Sequence, residues 1–295
     1  MSDINRTKHG RFPYSAIVDR PSLRWPNGAR VAVWVIPNIE HFMFDRPATP
    51  ITLATMSNVP DVLNYAWRDY GARVGVWRMI DVMEKHGIPG TAALNSEVCH
   101  EYPRLIEAGN ALGWEWMGHG INNSTMINKQ SEDVEREMIA TVLHDIEVAS
   151  GRKPRGWLGP ALSESFRTLD ILSENGVEYV GDWTNDEQPY AMRTDSGSIY
   201  SLPYSIEIND IPVFLDHHQS PEAFCKVICD QFDGLYEDGA KTGRVMAIAL
   251  HPFLIGHPFR SKYLDKAFAH LRSRQEVWFA KGAEIIDWYK KEAQV

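Results

Sequence analysis

Short apolar runs alternate along this chain with longer segments in which apolar residues recur every three or four positions. The run ARVAVWVIP (29–37) is rich in valine and isoleucine, as expected for a strand that is buried on both faces. The segment RVGVWRMIDVMEKHG (73–87) has apolar side chains at helical spacing and ends in glycine. Repeated units of strand and then helix predict a parallel sheet with helices packed outside it.

The same alternation continues to the end of the chain. Further strands are predicted at 90–95, 114–118, 155–158, 177–181, 244–251 and 276–280, and further helices at 103–113, 131–151, 164–175, 221–237, 261–274 and 282–291. Six to eight such units in 295 residues fit a (β/α) barrel better than an open sheet. The segment after the first strand lacks the glycines of a GxGxxG loop, which weighs against a dinucleotide-binding fold.

Composition and charge exclude several classes of partner. The net charge is −9 and no basic run stands out, so we expect no nucleic acid and no anionic membrane surface as a main partner. No stretch approaches 18 continuous apolar residues, and the N-terminal segment has no apolar core of a secretory signal. Three cysteines in a chain of this length are typical of reduced thiols, which predicts a cytoplasmic location.

Polar and ionisable residues recur where the predicted strands end. In a parallel barrel, the C-terminal ends of the strands carry the ligand-binding and catalytic groups. A histidine directly after a long apolar strand is a natural general acid or base. We therefore predict one shared pocket at this end of the barrel, formed by residues that include Asn38, Glu40, His41, His119, Asn123, Asp182, Trp183 and His251.

Each of these residues also has a structural interpretation. His41 could be an ordinary loop histidine, and His119 could be a core histidine bonded to a carbonyl group. Asp182 could cap a turn, and His251 could be fixed for backbone reasons because Pro252 follows it. The sequence leaves these alternatives open for each residue taken singly. The recurrence at several strand ends favours a functional site.

Five segments, in this order, resemble the polysaccharide deacetylase (NodB-like) family: RWPNGARVAVWVIPNIEHF, EWMGHG, RGWLGP, LPYSIEINDIP and the last forty or so residues from LHPFLIGHPFR onward. The resemblance runs from about residue 12 to the end. It is greatest to the family's cytoplasmic branch, which contains allantoinase-type and small intracellular peptidoglycan deacetylase-like proteins. It implies an α/β fold, a deformed (β/α)7 TIM-like barrel. A single catalytic domain would then span 1–295, with 1–28 as an extended N-terminal arm.

The resemblance also implies a site, from which this sequence departs. Typical members carry two acids after the first strand, two histidine ligands four residues apart, an arginine that orients the base and a final histidine acid. Here the acids are reduced to Glu40, and the histidine pair is His119 with Asn123. Leu158 stands at the arginine position, and His251 is retained. The candidate metal set is Glu40, His119 and Asn123. The resemblance implies a divalent metal, usually zinc. We expect it to bind weakly or to be absent, because catalytic zinc sites use three protein ligands and the amide oxygen of Asn123 is a poor substitute for a histidine nitrogen.

These observations predict a hydrolase that breaks a carbon–nitrogen bond in a small soluble molecule: an amide, a cyclic amide or a ureide. The alternatives are a deacetylase of an N-acetylated sugar or glycan, and a catalytically degenerate binding module on the same fold. A Pro- and aromatic-rich arm and the family resemblance predict a homo-oligomer. The candidate catalytic residues are His251 as the general acid, Glu40 and His41; the candidate substrate-binding residues are Trp157, Pro160, Asp182, Trp183 and Tyr204.

Overall fold

A computed structural model describes residues 4–5, 8–46 and 53–292 of the chain, and nine strands lie within them. The strands are β1 (Val31–Ile39), β2 (Thr91–Leu94), β3 (Glu115–Gly118), β4 (Gly156–Trp157), β5 (Tyr179–Val180), β6 (Tyr190–Thr194), β7 (Gly197–Ser201), β8 (Arg244–Leu250) and β9 (Val277–Phe279). The helices are α1 (Val62–Tyr70), α2 (Val76–Lys85), α3 (Glu97–Glu101), α4 (Pro103–Ala111), α5 (Glu132–Ser150), α6 (Thr168–Glu174), α7 (Pro221–Asp238), α8 (Pro252–Ile255), α9 (Pro258–Arg272) and α10 (Gly282–Glu292).

The strands form one curled sheet, in which β7, β5, β4, β3, β2, β1 and β8 lie side by side and parallel. β6 runs antiparallel to β7 at one edge, and β9 pairs with the first residues of β1. The predicted α/β fold with a barrel-like parallel sheet is therefore confirmed. All seven predicted strands exist, but the hairpin of β6 and β7 was not predicted. β7, rather than β9, is the strand that completes the parallel series.

The two edges of the curled sheet meet at a narrow seam. Asn209, in the segment after β7, forms an isolated parallel bridge with Ala249 of β8. The Ala249 N–H donates to the carbonyl oxygen of Ile208 at 2.9 Å. No continuous ladder closes the sheet among the described strands, so the structure is a deformed barrel with one weakly joined side.

Side chains of β1 alternate between the barrel interior and the surrounding helices. Trp34 and Ile36 pack inside, against residues of other strands such as Ala247. Val33 and Val35 pack outward against the helices. Because strand side chains alternate faces, the inward row continues through the even-numbered residues at the end of β1. That row leads into the mouth of the barrel, where the predicted site lies.

The helical stretch between β1 and β2 is longer than predicted. The segment 73–87 was predicted as a helix, but the chain is already helical from Val62, with a π-helical turn at Gly71–Gly75 between α1 and α2. This turn packs against α8, directly after β8. A Cβ atom on Gly75 would lie 2.1 Å from the carbonyl oxygen of Pro252. The glycine therefore permits the close approach that fixes the backbone beside His251.

The described part of the N-terminal arm, residues 8–28, packs on its own barrel. It contains short 3-10 turns at Ile17–Asp19 and Pro26–Gly28 and is otherwise irregular. Arg11 makes a buried two-pronged ion pair with Asp170 at 2.9 and 3.0 Å. The parts of the predicted arm at 1–3 and 6–7 lie outside the described residues. None of the described helices combines the length and the apolar character that crossing a membrane requires.

Candidate active site

Three of the predicted strand-end residues meet in one cavity of about 560 Å³ at the mouth of the barrel. Glu40 follows β1, His119 follows β3 and His251 follows β8, and each continues the inward-facing row of its strand. Asn123 and Tyr204 also line the cavity. The structure therefore brings together the core of the predicted site.

The carboxylate of Glu40 is the centre of this group. Its Oε1 lies 3.4 Å from Nε2 of His119 and 3.5 Å from Nε2 of His251. The Nδ2 group of Asn123 donates a hydrogen bond to the same oxygen at 2.6 Å. The side chains of Glu40 and both histidines are about 5% exposed or less. Because these groups are buried, the electrostatic interactions among them are screened less than they would be in water.

His251 has a second carboxylate behind it, which the sequence reading did not single out. Asp210 accepts hydrogen bonds from both Nδ1 and the backbone N–H of His251, at 2.6 and 2.8 Å. Burial lowers the pKa of His251, but Glu40 and Asp210 outweigh that effect and raise it to about 10. At neutral pH the ring is therefore an imidazolium that directs one N–H toward Glu40. Asp210 belongs to the segment LPYSIEINDIP, but the sequence of that segment does not indicate that Asp210 contacts His251.

Glu40 stays ionised in this setting. Burial raises the pKa of its carboxyl group, but the nearby His251 and His119 more than offset that effect, and the pKa lies well below its usual range. Arg68 of α1 also lines the cavity, with its guanidinium 4.1 Å from the centre of the Phe42 ring. Arg68 is a further residue of the site that the sequence reading missed, because α1 itself was not predicted.

A chain of amides fixes the orientation of Asn123. Asn95 Oδ1 accepts from the backbone N–H of His41, while Asn95 Nδ2 donates to the backbone carbonyl of His119. That nitrogen also donates to Oδ1 of Asn123 at 3.0 Å. Since a carbonyl can only accept and an N–H can only donate, neither amide can be turned round. The amide nitrogen of Asn123, and not its oxygen, must therefore face Glu40.

This orientation bears on the metal that the family resemblance implies. Asn123 presents an N–H donor where a ligand atom would be needed, and an N–H cannot coordinate zinc. Among the described residues, no group of three or more histidine, cysteine, aspartate or glutamate side chains has an arrangement that could hold a metal ion. The set of Glu40, His119 and Asn123 therefore does not fit a catalytic zinc centre.

Two of the predicted site residues lie on the wrong face of their strand to reach the cavity. His41 continues the outward row of β1, and its Nε2 lies 3.7 Å from a carboxylate oxygen of Glu97. Trp157 faces outward from β4 and is fully buried among residues that pack against the helices. Leu158, one position on, faces inward and lines the cavity instead. A shift of one residue along a strand exchanges the two faces.

The remaining predicted residues are divided between the cavity and its surroundings. Tyr204 lines the cavity, and burial raises the pKa of its hydroxyl above the usual range. Pro160 is buried in the turn after β4 and is not a lining residue. Asp182 is partly buried and does not line the cavity; its Oδ1 accepts from the N–H of Gly159 at 2.6 Å. Trp183 lines a separate cavity of about 520 Å³ beside the arm.

A larger cavity, of about 710 Å³, lies elsewhere, between the arm and the β6–β7 hairpin. Its charged residues include Arg20 and Asp186, which pair with each other at 2.7 Å. It contains no group of converging histidines and carboxylates like the one around Glu40. The cavity at the mouth of the barrel is therefore the better candidate for an active site, although it is the smaller.

Comparison with known proteins shows which family the chain resembles. A family model described as polysaccharide deacetylase matches residues 65–180. A protein of Schizosaccharomyces pombe described as a putative polysaccharide deacetylase is 27% identical, over 90% of this chain and 92% of its own length. The matched family segment includes His119, whereas Glu40 and His251 lie outside it.

Solved structures give the same result for the fold. A probable polysaccharide deacetylase from Pseudomonas aeruginosa PAO1 superposes with a TM-score of 0.86 at 25% identity, over 96% of this chain and 100% of its own. A structure described as Puue allantoinase also has a TM-score of 0.86, at 24% identity, over 95% of this chain and 98% of its own. The predicted resemblance to polysaccharide deacetylases is thus confirmed.

Proposed function

We propose that the protein hydrolyses a carbon–nitrogen bond in a small molecule that carries an amide, a cyclic amide or a ureide. The observation that carries this proposal is the position of Glu40, whose Oε1 lies about equally far from Nε2 of His119 and Nε2 of His251. The family match supports the same bond type, since removing an acetyl group from an amide nitrogen breaks a carbon–nitrogen bond. The cavity volume of about 560 Å³ favours a small substrate.

In the proposed reaction, Glu40 and His119 hold a water molecule against the substrate carbonyl. Water attacks the carbonyl carbon and gives a proton to Glu40, and a tetrahedral oxyanion forms. His251 then donates its Nε2 proton to the nitrogen as the carbon–nitrogen bond breaks. The low pKa of Glu40 makes it a transient proton holder, and it returns the proton to His251 across 3.5 Å. The products are a carboxylic acid and an amine, and the two residues end in their starting states.

Each other residue of the cluster keeps one of these groups in place. Asp210 maintains the charge and orientation of His251. Asn123 holds Glu40 by a single hydrogen bond from its amide. Tyr204 and the apolar residues of the cavity, such as Phe253, form walls suited to a flat ring. No step in this scheme passes through a metal ion, because Asn123 presents a donor to Glu40 and not a ligand.

The test is turnover of a panel of cyclic amides, ureides and N-acetylated amino sugars by the full chain and by H251Q. We expect wild-type turnover of at least one member, and a loss of about 10²- to 10⁴-fold in H251Q. H257Q is the matched control, because His257 stacks on Tyr70 at 4.3 Å and does not line the cavity. Circular dichroism would show that both variants fold.

The panel also separates the other candidate functions. Turnover of N-acetyl sugars alone would favour a deacetylase, in keeping with the family description. Tight binding of panel members with no turnover by the wild type would favour a binding module. Full activity in H251Q would contradict the role of His251.

A further inference from the structure

One peptide unit joins the active site to a buried carboxylate behind it. The carbonyl oxygen of Leu158 accepts a hydrogen bond from Nδ1 of His119 at 2.6 Å. The N–H of Gly159, which belongs to the same peptide unit, donates to Oδ1 of Asp182, also at 2.6 Å. His119 and Asp182 are therefore connected through a single planar, conjugated group. Both hydrogen bonds are short; the first is buried and the second is partly buried.

Asp182 has a second carboxyl group beside it. The carboxyl group of Glu164 lies close enough to Asp182 for each to shift the pKa of the other, and Glu164 accepts from Nε1 of Trp183 at 3.0 Å. No N–H or hydroxyl donor of the described residues reaches the buried Oδ2 of Asp182. Two carboxyl groups can hydrogen-bond to each other only when one of them holds a proton. A hydrogen bond from one of these carboxyls to the other therefore requires a proton on one of them.

The surroundings decide which of the two holds it. Burial, together with the adjacent Asp182, raises the pKa of Glu164 well above its usual range. Burial raises the pKa of Asp182 to about 6, and the N–H of Gly159 and the carboxyl of Glu164 limit that rise. Asp182 accepts from a backbone N–H and is influenced by His119, whereas Glu164 accepts from the indole N–H of Trp183 and is influenced by Arg11. The proton is thus placed on Glu164, and the negative charge on Asp182.

A charge at Asp182 changes what the peptide offers to His119. An anion that accepts from the N–H end of a peptide polarises it and makes its carbonyl oxygen a stronger acceptor. That oxygen holds the Nδ1 proton of His119, which leaves Nε2 to face Glu40 and the cavity. A partner on one ring nitrogen of histidine sets the tautomer and fixes the orientation of the ring.

We propose that Asp182 and Glu164 are positioning residues for His119, acting through the Leu158–Gly159 peptide, with Asp182 as the anion and Glu164 as its neutral hydrogen-bond donor. This role deepens the proposed function, because it rests on His119 as a residue that holds the attacking water. It also changes the predicted role of Asp182, which is behind the cavity rather than in contact with a substrate. The alternative is that the two carboxyls only fasten the loop.

The two amide variants separate these roles. In E164Q the glutamine can donate an N–H to Asp182, as the protonated Glu164 does, so the anion remains. In D182N the asparagine can still accept from Gly159, but the charge is gone. A role limited to fastening the loop predicts that the two variants behave alike, since both keep a hydrogen bond. A role that depends on the charge predicts that only D182N disturbs His119.

The measurement is the NMR spectrum of the full chain labelled with ¹⁵N-histidine, with His119 assigned by its loss in H119Q. We expect the Nδ1–H proton of His119 to move upfield in D182N and to stay in place in E164Q. With a substrate from the panel, kcat in D182N should be about tenfold below that of E164Q, with little difference in KM. D186N, a loop carboxylate that pairs with Arg20, is the control and should match the wild type.

Two results would overturn the proposal: equal His119 spectra in D182N and E164Q, or a shift confined to E164Q, which would place the anion on Glu164. Because the spectrum requires no turnover, these results are distinct from a failure of the proposed hydrolase function. If no substrate is found but D182N alone shifts His119, the positioning role stands and the hydrolase proposal is what fails.

Discussion

At the scale of single residues, Asp210 decides whether His251 can act as an acid at all. It accepts from both the ring and the backbone of His251, and it is one of the two carboxylates that raise the pKa of that ring to about 10. An acid must be protonated to act, so kcat/KM should be maintained at neutral pH and fall as pH rises through about 10. D210N should lower kcat about 100-fold and move this fall to lower pH.

The measurement is the pH profile of kcat/KM for the wild type and D210N. D233N provides the control, since Asp233 pairs with His270 outside the cavity. An unchanged alkaline limb in D210N would mean that Asp210 does not set the protonation of His251. A limb that moves equally in D233N would point to a general effect of charge.

Asn95 is the second residue whose importance is not visible from the strand ends. Its amide accepts from the N–H of His41 and donates to the His119 carbonyl and to Asn123. N95A leaves these buried groups without their partner, and we expect the free energy of unfolding to fall by about 2 kcal/mol. Urea denaturation measures this. N175A, which removes a helix-end bond to Ile171, is the comparison for an ordinary asparagine; an equal loss in both would argue against a special network.

The sequence could locate the strand-end residues but not their partners. Glu40, His119 and His251 follow recognisable apolar runs, and the alternation of faces along a strand would also have placed His41 and Trp157 outside the cavity. Asp210 and Asn95 could not be assigned this way. Asp210 lies in the irregular segment at the seam, and its proximity to His251 depends on how the sheet closes.

At the scale of elements, the contact between the π-helical turn and α8 sets the position of His251. Gly75 faces the carbonyl oxygen of Pro252 at a distance that no Cβ atom could tolerate. We expect G75A to cost about 3 kcal/mol of folding stability and to reduce turnover by displacing the segment after β8. Thermal unfolding and turnover measure the two effects together. Normal turnover in a destabilised G75A would mean that α8 does not transmit the shift to His251.

G234A is the control for G75A, and we expect it to change the free energy of unfolding in the opposite direction. Gly234 is exposed within α7, and nothing lies within 4 Å of the Cβ that alanine would add. Alanine is a better helix former than glycine, so G234A should raise the free energy of unfolding by about 0.5–1 kcal/mol. Loss of stability in this variant would show that the helix is constrained there in a way that its surroundings do not reveal.

Elements with a clear period were predictable, and those defined by tertiary contacts were not. The long helix α5 lies within the predicted range, and β1 and β8 match their apolar runs closely. The start of α1 was missed because glycines at 71 and 75 interrupt the helical pattern of the sequence. Those glycines are present because α8 packs on them. The β6–β7 hairpin was missed because β6 is a short edge strand whose sequence, YAMRT, contains no apolar run.

At the scale of the whole molecule, Arg11 ties the N-terminal arm to the barrel. Its guanidinium pairs with Asp170, which is fully buried, and donates to two backbone carbonyls. R11M removes this charge, and although Arg167 still contacts Asp170 at 3.1 Å, we expect a loss of about 3 kcal/mol. Denaturation and limited proteolysis of the arm measure the change. R104M, at an exposed pair with Glu107, should have no measurable effect.

The predicted homo-oligomer stays a prediction at this scale. Tyr14 and Val18 of the arm are 93% and 86% exposed, although the arm itself packs on its own barrel. Light scattering coupled to size-exclusion chromatography would measure the mass of the protein in solution. If the arm contributes to association, a Y14S/V18S variant should shift the mass toward the monomer of 33.6 kDa. A monomeric wild type would contradict the prediction.

The amide chain through Asn95 and Asn123 also restricts how this site could change over time. Each amide is oriented by groups that cannot reverse, so an exchange at one position alone leaves two donors or two acceptors facing each other. In evolutionary terms the two positions are epistatic: the effect of a mutation at 123 on stability depends on which residue stands at 95, and the effect of a mutation at 95 depends on which residue stands at 123. A lineage that replaces either amide must therefore pass through a less stable intermediate or change both positions together.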